Sequence, residues 1–215
     1  MDVGLLFDLD GTLLDTLEDL LDATNHTLKV LGYPAWNLEE LRRFVGNGAA
    51  NQLRLALPEN VDDSVLKQAL EIYKPYYTNH CQIKTRPYAG FVQALEELQK
   101  RYPIAIVSNK PDSAVKELCR VYFPGIYALG ESVGCPRKPA ADMVWKAMET
   151  IGVQRCIYIG DSEVDVLTAA NAGVPCLSVL WGFRDKEDIQ AVGGMHFCEE
   201  TGRLQAAIEE LIYGQ

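Results

Sequence analysis

The chain has 215 residues, of which 48% are hydrophobic and 23% charged, and 30 acidic against 20 basic side chains leave a formal charge of −10. That composition belongs to a globular fold and excludes a disordered one, and the length suits one core with a sizeable insertion better than two equal domains. An excess of acids with no block of Lys and Arg argues against nucleic acid or anionic membrane surfaces as partners, because the long-range field repels their phosphates.

In chain order, residues 3–7 form a short apolar run that predicts a buried strand, ending in Asp8-Leu9-Asp10-Gly11-Thr12. These two aspartates stand where a secretory signal needs apolar residues, and no basic residue precedes Lys29. Thr16 with Asp19 three residues on offers a helix-capping signal, and Leu17, Leu20, Leu21, Thr24, Leu28 and Leu31 trace one helical face until Gly32 and Pro34 end it. Further helices are expected over 38–44, over 49–57 before Pro58, and over 64–77 with a kink at Pro75. Beyond these, helical patterns run through Phe91, Val92, Leu95 and Leu98, through Ala114, Val115, Leu118 and Val121, and through Val144, Ala147, Met148 and Ile151. Strands are expected at 104–107, 156–159 and 176–180, with a weaker one at 126–129. The longest uncharged run, 166–183, is divided by Asn171, Gly173 and Pro175 into helix, turn and strand, which is no membrane span. The reading is a soluble, cytoplasmic protein. Six cysteines without a C-x-x-C pair or neighbouring histidine pairs suggest neither a zinc site nor a disulfide scaffold.

Alternation of strand and helix predicts an α/β fold, a doubly wound parallel sheet with helices on both faces, Rossmann-like in its core. Consecutive parallel strands with their crossover need about 25–35 residues, yet residues 8–103 separate the first two strands. Residues 15–84 are therefore read as an inserted α-helical cap on a core of 1–14 and 85–215, with hinge connections at 12–16 and 84–87.

Asp8, Asp10, Ser108 and Asp161 all stand where predicted strands end. Singly, each has a plainer explanation: an Asp-Gly turn, a helix cap at Ser108, a helix cap at Asp161 with Asp165 favouring the positive helix end. Ligands of open parallel sheets, however, bind outside the carboxyl ends of the strands, which brings the four to one crevice. Close carboxylates repel by about 4 kcal/mol per pair at an effective dielectric of about 20, so their pKa values rise or a cation joins them. Oxygen ligands with no Cys or His nearby select a hard ion such as Mg²⁺, which binds through one or two carboxylates plus a substrate phosphate. A phosphoester substrate follows, and Lys138, otherwise an ordinary exposed lysine, could supply the fixed positive charge.

The ordered set Asp8-Leu9-Asp10-Gly11-Thr12, Ser108-Asn109-Lys110-Pro111, Lys138-Pro139 and Gly160-Asp161-Ser162 through Asp165 resembles the magnesium-dependent phosphatases of the haloacid dehalogenase superfamily across nearly the whole chain. The resemblance implies a helical cap closing over the site and a role for each residue. Asp8 would attack phosphorus and become an aspartyl phosphate. Asp10 would protonate the leaving oxygen and then activate water. Ser108 and the backbone amide of Asn109 would hold phosphoryl oxygens, Lys138 would neutralise them, and Mg²⁺ would bind the Asp8 side chain, the Asp10 carbonyl and Asp161, with Asp165 orienting that shell. Superfamily members that cleave carbon–halogen bonds lack an aspartate two residues after the nucleophile, so Asp10 argues against dehalogenation.

Among the phosphatases, Ser108-Asn109-Lys110-Pro111, Phe44-Val45-Gly46-Asn47-Gly48 and Trp181-Gly182-Phe183 are most similar to the phosphoglycolate phosphatase group. A small substrate such as 2-phosphoglycolate is implied; sugar-phosphate phosphatase, nucleotidase, pyrophosphatase and phosphomutase activities are the alternatives, in a monomer or homodimer. Gly46 and Asn47 would approach the substrate, with Gly48 allowing close backbone contact. Arg42, Arg43 or Arg54 either meets a substrate carboxylate or lies on a solvated helix face. Where the family often continues Lys-Pro-x-Pro, Ala140-Ala141 follow Pro139, so the loop carrying Lys138 lacks that stiffening.

A rival comes from Gly130-Glu131-Ser132-Val133-Gly134, which matches the G-x-S-x-G nucleophile elbow of serine esterases, with Asp161 or Asp185 and then His196 in the expected order. The elbow needs a helix directly after the serine, and Pro136 and Pro139 interrupt that stretch. A catalytically silent binding module of the same fold is the third reading.

Overall fold

A computed structural model describes residues 3–214. The chain begins with β1 (Val3–Phe7) and a two-residue β2 (Leu14–Asp15). Four helices follow, α1 (Leu17–Leu31), α2 (Leu38–Arg42), α3 (Gly48–Ala56) and α4 (Asp63–His80), before β3 (Arg86–Pro87). Then come α5 (Phe91–Gln99), β4 (Ile104–Pro111), α6 (Asp112–Tyr122), β5 (Tyr127–Glu131), α7 (Asp142–Ile151), β6 (Arg155–Gly160) and α8 (Glu163–Ala172). The chain closes with β7 (Cys176–Val179), α9 (Lys186–Ala191), β8 (His196–Cys198) and α10 (Leu204–Tyr213).

The main sheet has the order β5-β4-β1-β6-β7-β8 and every pairing in it is parallel. Successive side chains of a strand point to opposite faces. Leu5 and Phe7 of β1, Ile104 and Ile106 of β4, and Ile157 and Ile159 of β6 therefore pack on one side, against Phe91, Leu95, Leu118 and Ile208 of α5, α6 and α10. Leu6, Ala105, Val107 and Tyr158 pack on the other, against Met143, Val144 and Ala147 of α7 and Ala169 of α8. Both faces are covered, which is why these strands read as unbroken apolar runs rather than as alternating ones.

The four helices α1–α4 lie between the two halves of a small antiparallel ribbon, with Leu14 opposite Pro87 and Asp15 opposite Arg86. The expected Thr16–Asp19 cap does not form. Thr16 stands at the N-cap of α1 without a side-chain cap bond, and its hydroxyl donates instead to Asp10 Oδ1 at 2.6 Å. The hydroxyl is oriented by the carboxylate, since charge-assisted hydrogen bonds are the stronger kind. Asp19 is buried, and its carboxylate accepts the backbone N–H groups of Lys84 and Thr85, tying the start of α1 to the returning strand.

Three helix boundaries differ from the sequence expectation. α2 ends at Arg42, ahead of Gly46, whose φ of 110° leaves helical space. α3 begins one residue early, at Gly48. α4 stays helical through Pro75 to His80. β4 outruns its apolar segment, continuing through Ser108, Asn109 and Lys110 to Pro111 with a register shift against β5 after Val107. β8 was not expected, since three residues with an exposed His196 at the sheet edge carry too little periodicity to register as a strand.

Candidate active site

The catalytic candidates gather where the strand order reverses. From β1 the chain passes to β4 and β5 on one side, then to β6, β7 and β8 on the other, so the carboxyl ends of β4, β1 and β6 open onto one crevice. Asp8 leaves β1, Ser108 to Lys110 occupy the irregular end of β4, and Asp161 follows β6.

Lys138 comes from the loop between β5 and α7 and is 1% exposed, so it is no solvent lysine. Its ammonium lies 2.8 Å from Asp8 Oδ1 and 2.8 Å from Asp165 Oδ1, and donates to Tyr158 Oη at 3.0 Å. The Asn109 side chain brackets the backbone of this residue, accepting from Lys138 N at 2.8 Å and donating to Lys138 O at 2.9 Å. That clasp supplies the fixity a second proline would have given the loop. Asp165 is at once cap and site residue: Oδ2 accepts from Ser162 N at 3.0 Å and Ser162 Oγ at 2.6 Å at the start of α8, while Oδ1 faces Lys138. Ser108 Oγ accepts from Lys110 N at 3.2 Å, which leaves its own proton free to donate.

Asp161 sits in a cradle made by distant segments. Thr12 Oγ1 donates to its Oδ1 at 3.0 Å and Phe183 N to its Oδ2 at 2.8 Å. Trp181 Nε1 fixes the same loop by donating to Thr12 O at 3.0 Å. A Cβ on Gly182 would lie 2.3 Å from Asp161 Cβ and 2.5 Å from Gly11 O, so only glycine lets this loop come so near.

Carboxylate oxygens of Asp8, Asp161 and Asp165 lie within 4.8 Å of one another. Burial pushes the Asp8 carboxyl well above its ordinary range, against the pull of Lys138 and with the help of Asp165, Asp161 and Asp10. Burial, reinforced by Asp165, pushes Asp161 up to about 7. At Lys138 burial works against the charge, but Asp165 and Asp8 outweigh it and hold the ammonium firmly protonated. With every group ionised, Asp8, Asp10, Asp161 and Asp165 set four negative charges against the two positive ones of Lys110 and Lys138, a surplus that bound protons or one divalent cation offsets. An all-oxygen donor set of this size fits a hard ion such as Mg²⁺.

The Asp10 side chain stands apart from those three carboxylates. Its Oδ1 accepts from Thr16 Oγ1 and lies 2.8 Å from Lys110 Nζ. Lys110, 5% exposed, also donates to Tyr77 Oη of α4 at 2.6 Å. Above Asp8, Asp10, Ser108, Asn109 and Lys110 is a cleft of about 380 Å³, counting its open mouth, roofed by Leu20, Val45, Gly46, Gly48, Ala49, Gln52, Tyr73 and Tyr77. Gly46 lines it as expected and Asn47 does not. None of the three arginines lines it either: Arg42 donates to Gly182 O at 3.2 Å, Arg54 pairs with Asp63, and Arg43 is exposed. Arg184, after β7, grips the insertion from outside, donating to Glu163 Oε2 at 2.9 Å, Arg42 O at 2.8 Å and Val45 O at 2.6 Å.

Lys110, Thr12, Tyr158, Arg184 and the Asn109 side chain went unread as parts of the site. Thr12 and Lys110 lie inside motifs and were within reach of the sequence, whereas Tyr158 and Arg184 carry no local signal. The esterase constellation does not assemble. Ser132 is exposed after β5 and bridges to Cys135, with no helix following it directly. His196 lies on β8 at the opposite edge of the sheet, about 24 Å away at the usual strand spacing.

Residues 5–179 match the haloacid dehalogenase-like hydrolase family. The chain is 32% identical to a phosphoglycolate phosphatase of Mesorhizobium japonicum, over 85% of this chain and 84% of that one. It is 33% identical to a phosphoglycolate phosphatase of Agrobacterium fabrum, over 96% and 93%. A crystal structure from Lactobacillus delbrueckii subsp. bulgaricus, a protein assigned by inference as a phosphoglycolate phosphatase, superposes with a TM-score of 0.88 at 36% identity, covering 99% of this chain and 98% of that one. With crevice, motifs and likeness in agreement, the chain belongs to the haloacid dehalogenase-like hydrolase family.

Proposed function

We propose that the protein is a Mg²⁺-dependent phosphomonoester hydrolase that works through an aspartyl phosphate on a small substrate, 2-phosphoglycolate foremost. One observation carries this reading: Asp8 is buried, its Oδ1 is held by Lys138, and its Oδ2 has no hydrogen-bond partner among the described residues, beside a second carboxylate, Asp10, at the cleft. The names borne by the relatives support the choice of substrate.

In this mechanism Asp8 Oδ2 attacks phosphorus while Asp10 gives a proton to the departing ester oxygen; Asp10 then takes a proton from the water that hydrolyses the aspartyl phosphate. Ser108 Oγ, fixed by the Lys110 amide, and the Asn109 backbone amide hold phosphoryl oxygens, and Lys138 offsets their charge. Asp8, the Asp10 carbonyl and Asp161 would hold Mg²⁺, oriented by Asp165, and the ion would supply charge neutralisation between nucleophile and phosphoryl group. Residues 15–84 act as the cap that excludes water from this chamber, and 1–14 with 85–215 as the catalytic core.

The test is a substrate panel on purified protein, comparing kcat/KM for 2-phosphoglycolate, hexose phosphates, nucleotides and pyrophosphate with Mg²⁺ and with EDTA. Phosphate release that needs Mg²⁺ and favours phosphoglycolate is the expected result. Turnover surviving EDTA, or none on any ester, would overturn the reading.

A further inference from the structure

Lys110 is the cationic residue that lines the cleft among the described residues; Lys138 lies beneath the floor. Its ammonium has three donors. One faces Asp10 Oδ1 at 2.8 Å and one goes to Tyr77 Oη at 2.6 Å, which leaves one without a hydrogen-bond partner among the described residues. Apart from Gln52, whose amide donates to Thr24 and Tyr73, the surrounding roof is apolar or aromatic, from Leu20, Val45, Ala49, Tyr73 and Tyr77, so charge on Lys110 is little screened by solvent. A phosphoryl group seated between Asp8 and Ser108 turns its ester oxygen toward Asp10, and the rest of the leaving group must then share the chamber with Lys110. Of the arginines near the insertion's helices, Arg42 and Arg54 are engaged elsewhere and Arg43 is exposed, while Arg137 lies at the rim beside Gly48.

Resting on the hydrolase reading above, we propose that Lys110 determines specificity by binding an anionic leaving group, a carboxylate a few atoms from phosphorus, through its unpartnered N–H. Tyr77 aims that ammonium, and because Tyr77 belongs to α4 the anion site is complete only with the insertion seated on the core. The chamber thereby selects small alcohols that carry a negative charge over neutral alcohols of the same size. A site built to pair with a polar group discriminates sharply against analogues lacking it.

The experiment compares 2-phosphoglycolate with 2-hydroxyethyl phosphate, whose leaving group is neutral and of similar size, in the wild type, Lys110→Gln, Lys110→Arg and Tyr77→Phe. Alongside, calorimetry measures binding of glycolate to each Mg²⁺-loaded protein. Lys110→Gln is expected to lower the ratio of kcat/KM for the two esters by about tenfold or more, mostly through KM, and to weaken glycolate binding by a similar factor. Lys110→Arg, which keeps the charge, should retain part of the preference, and Tyr77→Phe should lose less of it than Lys110→Gln. Equal losses on both esters with glycolate binding unchanged would mean that Lys110 acts only through Asp10 and would overturn the proposal, as would a wild type indifferent to the charge. If the wild type cleaves neither ester, the hydrolase reading falls, and the glycolate titrations still decide what Lys110 binds.

Discussion

The two buried lysines of the site divide it into a floor and a roof. Lys138 faces Asp8, Asp165 and Tyr158, all set by the main sheet or the helix that follows it. Lys110 faces Asp10 from the same sheet but also Tyr77 of α4, and Asp10 in turn is held by Thr16 in the connection to the insertion. Each ammonium is matched by carboxylates, the condition for keeping a charge out of water. The floor is therefore built from the main sheet and the helix after it, whereas the roof also needs residues of α1–α4. Under the proposed mechanism, chemistry and selectivity are built on different parts of the molecule.

The sharpest way to break this contrast is at the floor. Asp8→Asn should abolish phosphate release, by about 10⁴-fold or more, while circular dichroism shows an intact fold; near-normal turnover would remove Asp8 from the nucleophile role. Lys138→Met should lower kcat by about 10³-fold and, by stranding two buried carboxylates, cost about 3–5 kcal/mol in denaturant unfolding. A loss below about 1 kcal/mol would show that the floor tolerates the missing charge.

Effects at the roof and its fastening should be smaller. Arg184→Ala frees the carbonyls of Arg42 and Val45 and leaves Glu163 unpaired. It should raise KM by about three- to tenfold with little change in kcat and speed hydrogen exchange around Val45 to Ala49. Unchanged exchange there would show that Arg184 does not fasten the insertion.

The mildest prediction concerns pH. Burial, reinforced by Asp165, pushes the Asp161 carboxyl up to about 7 from an ordinary 3.8, against the hydrogen bonds from Phe183 and Thr12 and the charge of Arg184. Between those values the metal-free native state binds more protons than the unfolded chain. The stability this contributes is fully present below about pH 4 and is lost as pH rises through about 7. Melting temperature without metal should thus fall from about pH 5 to 7.5, with Mg²⁺ restoring more of it at the upper end, where the ion replaces the proton. A metal-free melting temperature that climbs over this interval would contradict the assignment.

Much of the floor was readable because its residues lie beside elements with strong local signals. Asp8 and Asp161 each follow an apolar run too short for a helix, and Asp165 was placed at the positive end of the helix that follows, although the cap itself is Ser162 and not Asp161. Thr16 and Asp19 show the limit of that logic. Their spacing is right for a cap, yet both side chains serve partners outside the helix, Asp10 and the amides of Lys84 and Thr85. The Asn109 clasp was equally hidden, since nothing near Asn109 indicates that its amide closes on Lys138.

Taken alone, the sequence determined the α/β alternation, the place of the insertion and the residue types at the strand ends, because strand length, helical period and turn chemistry act over a few neighbouring positions. Only the tertiary structure decided that Tyr77 meets Lys110, that Arg184 holds the carbonyls of Arg42 and Val45, and that Gly182 yields its side-chain space to Asp161. Those contacts join segments far apart in the chain, and their geometry comes from how the insertion and the loop after β7 pack against the sheet, which no local pattern encodes.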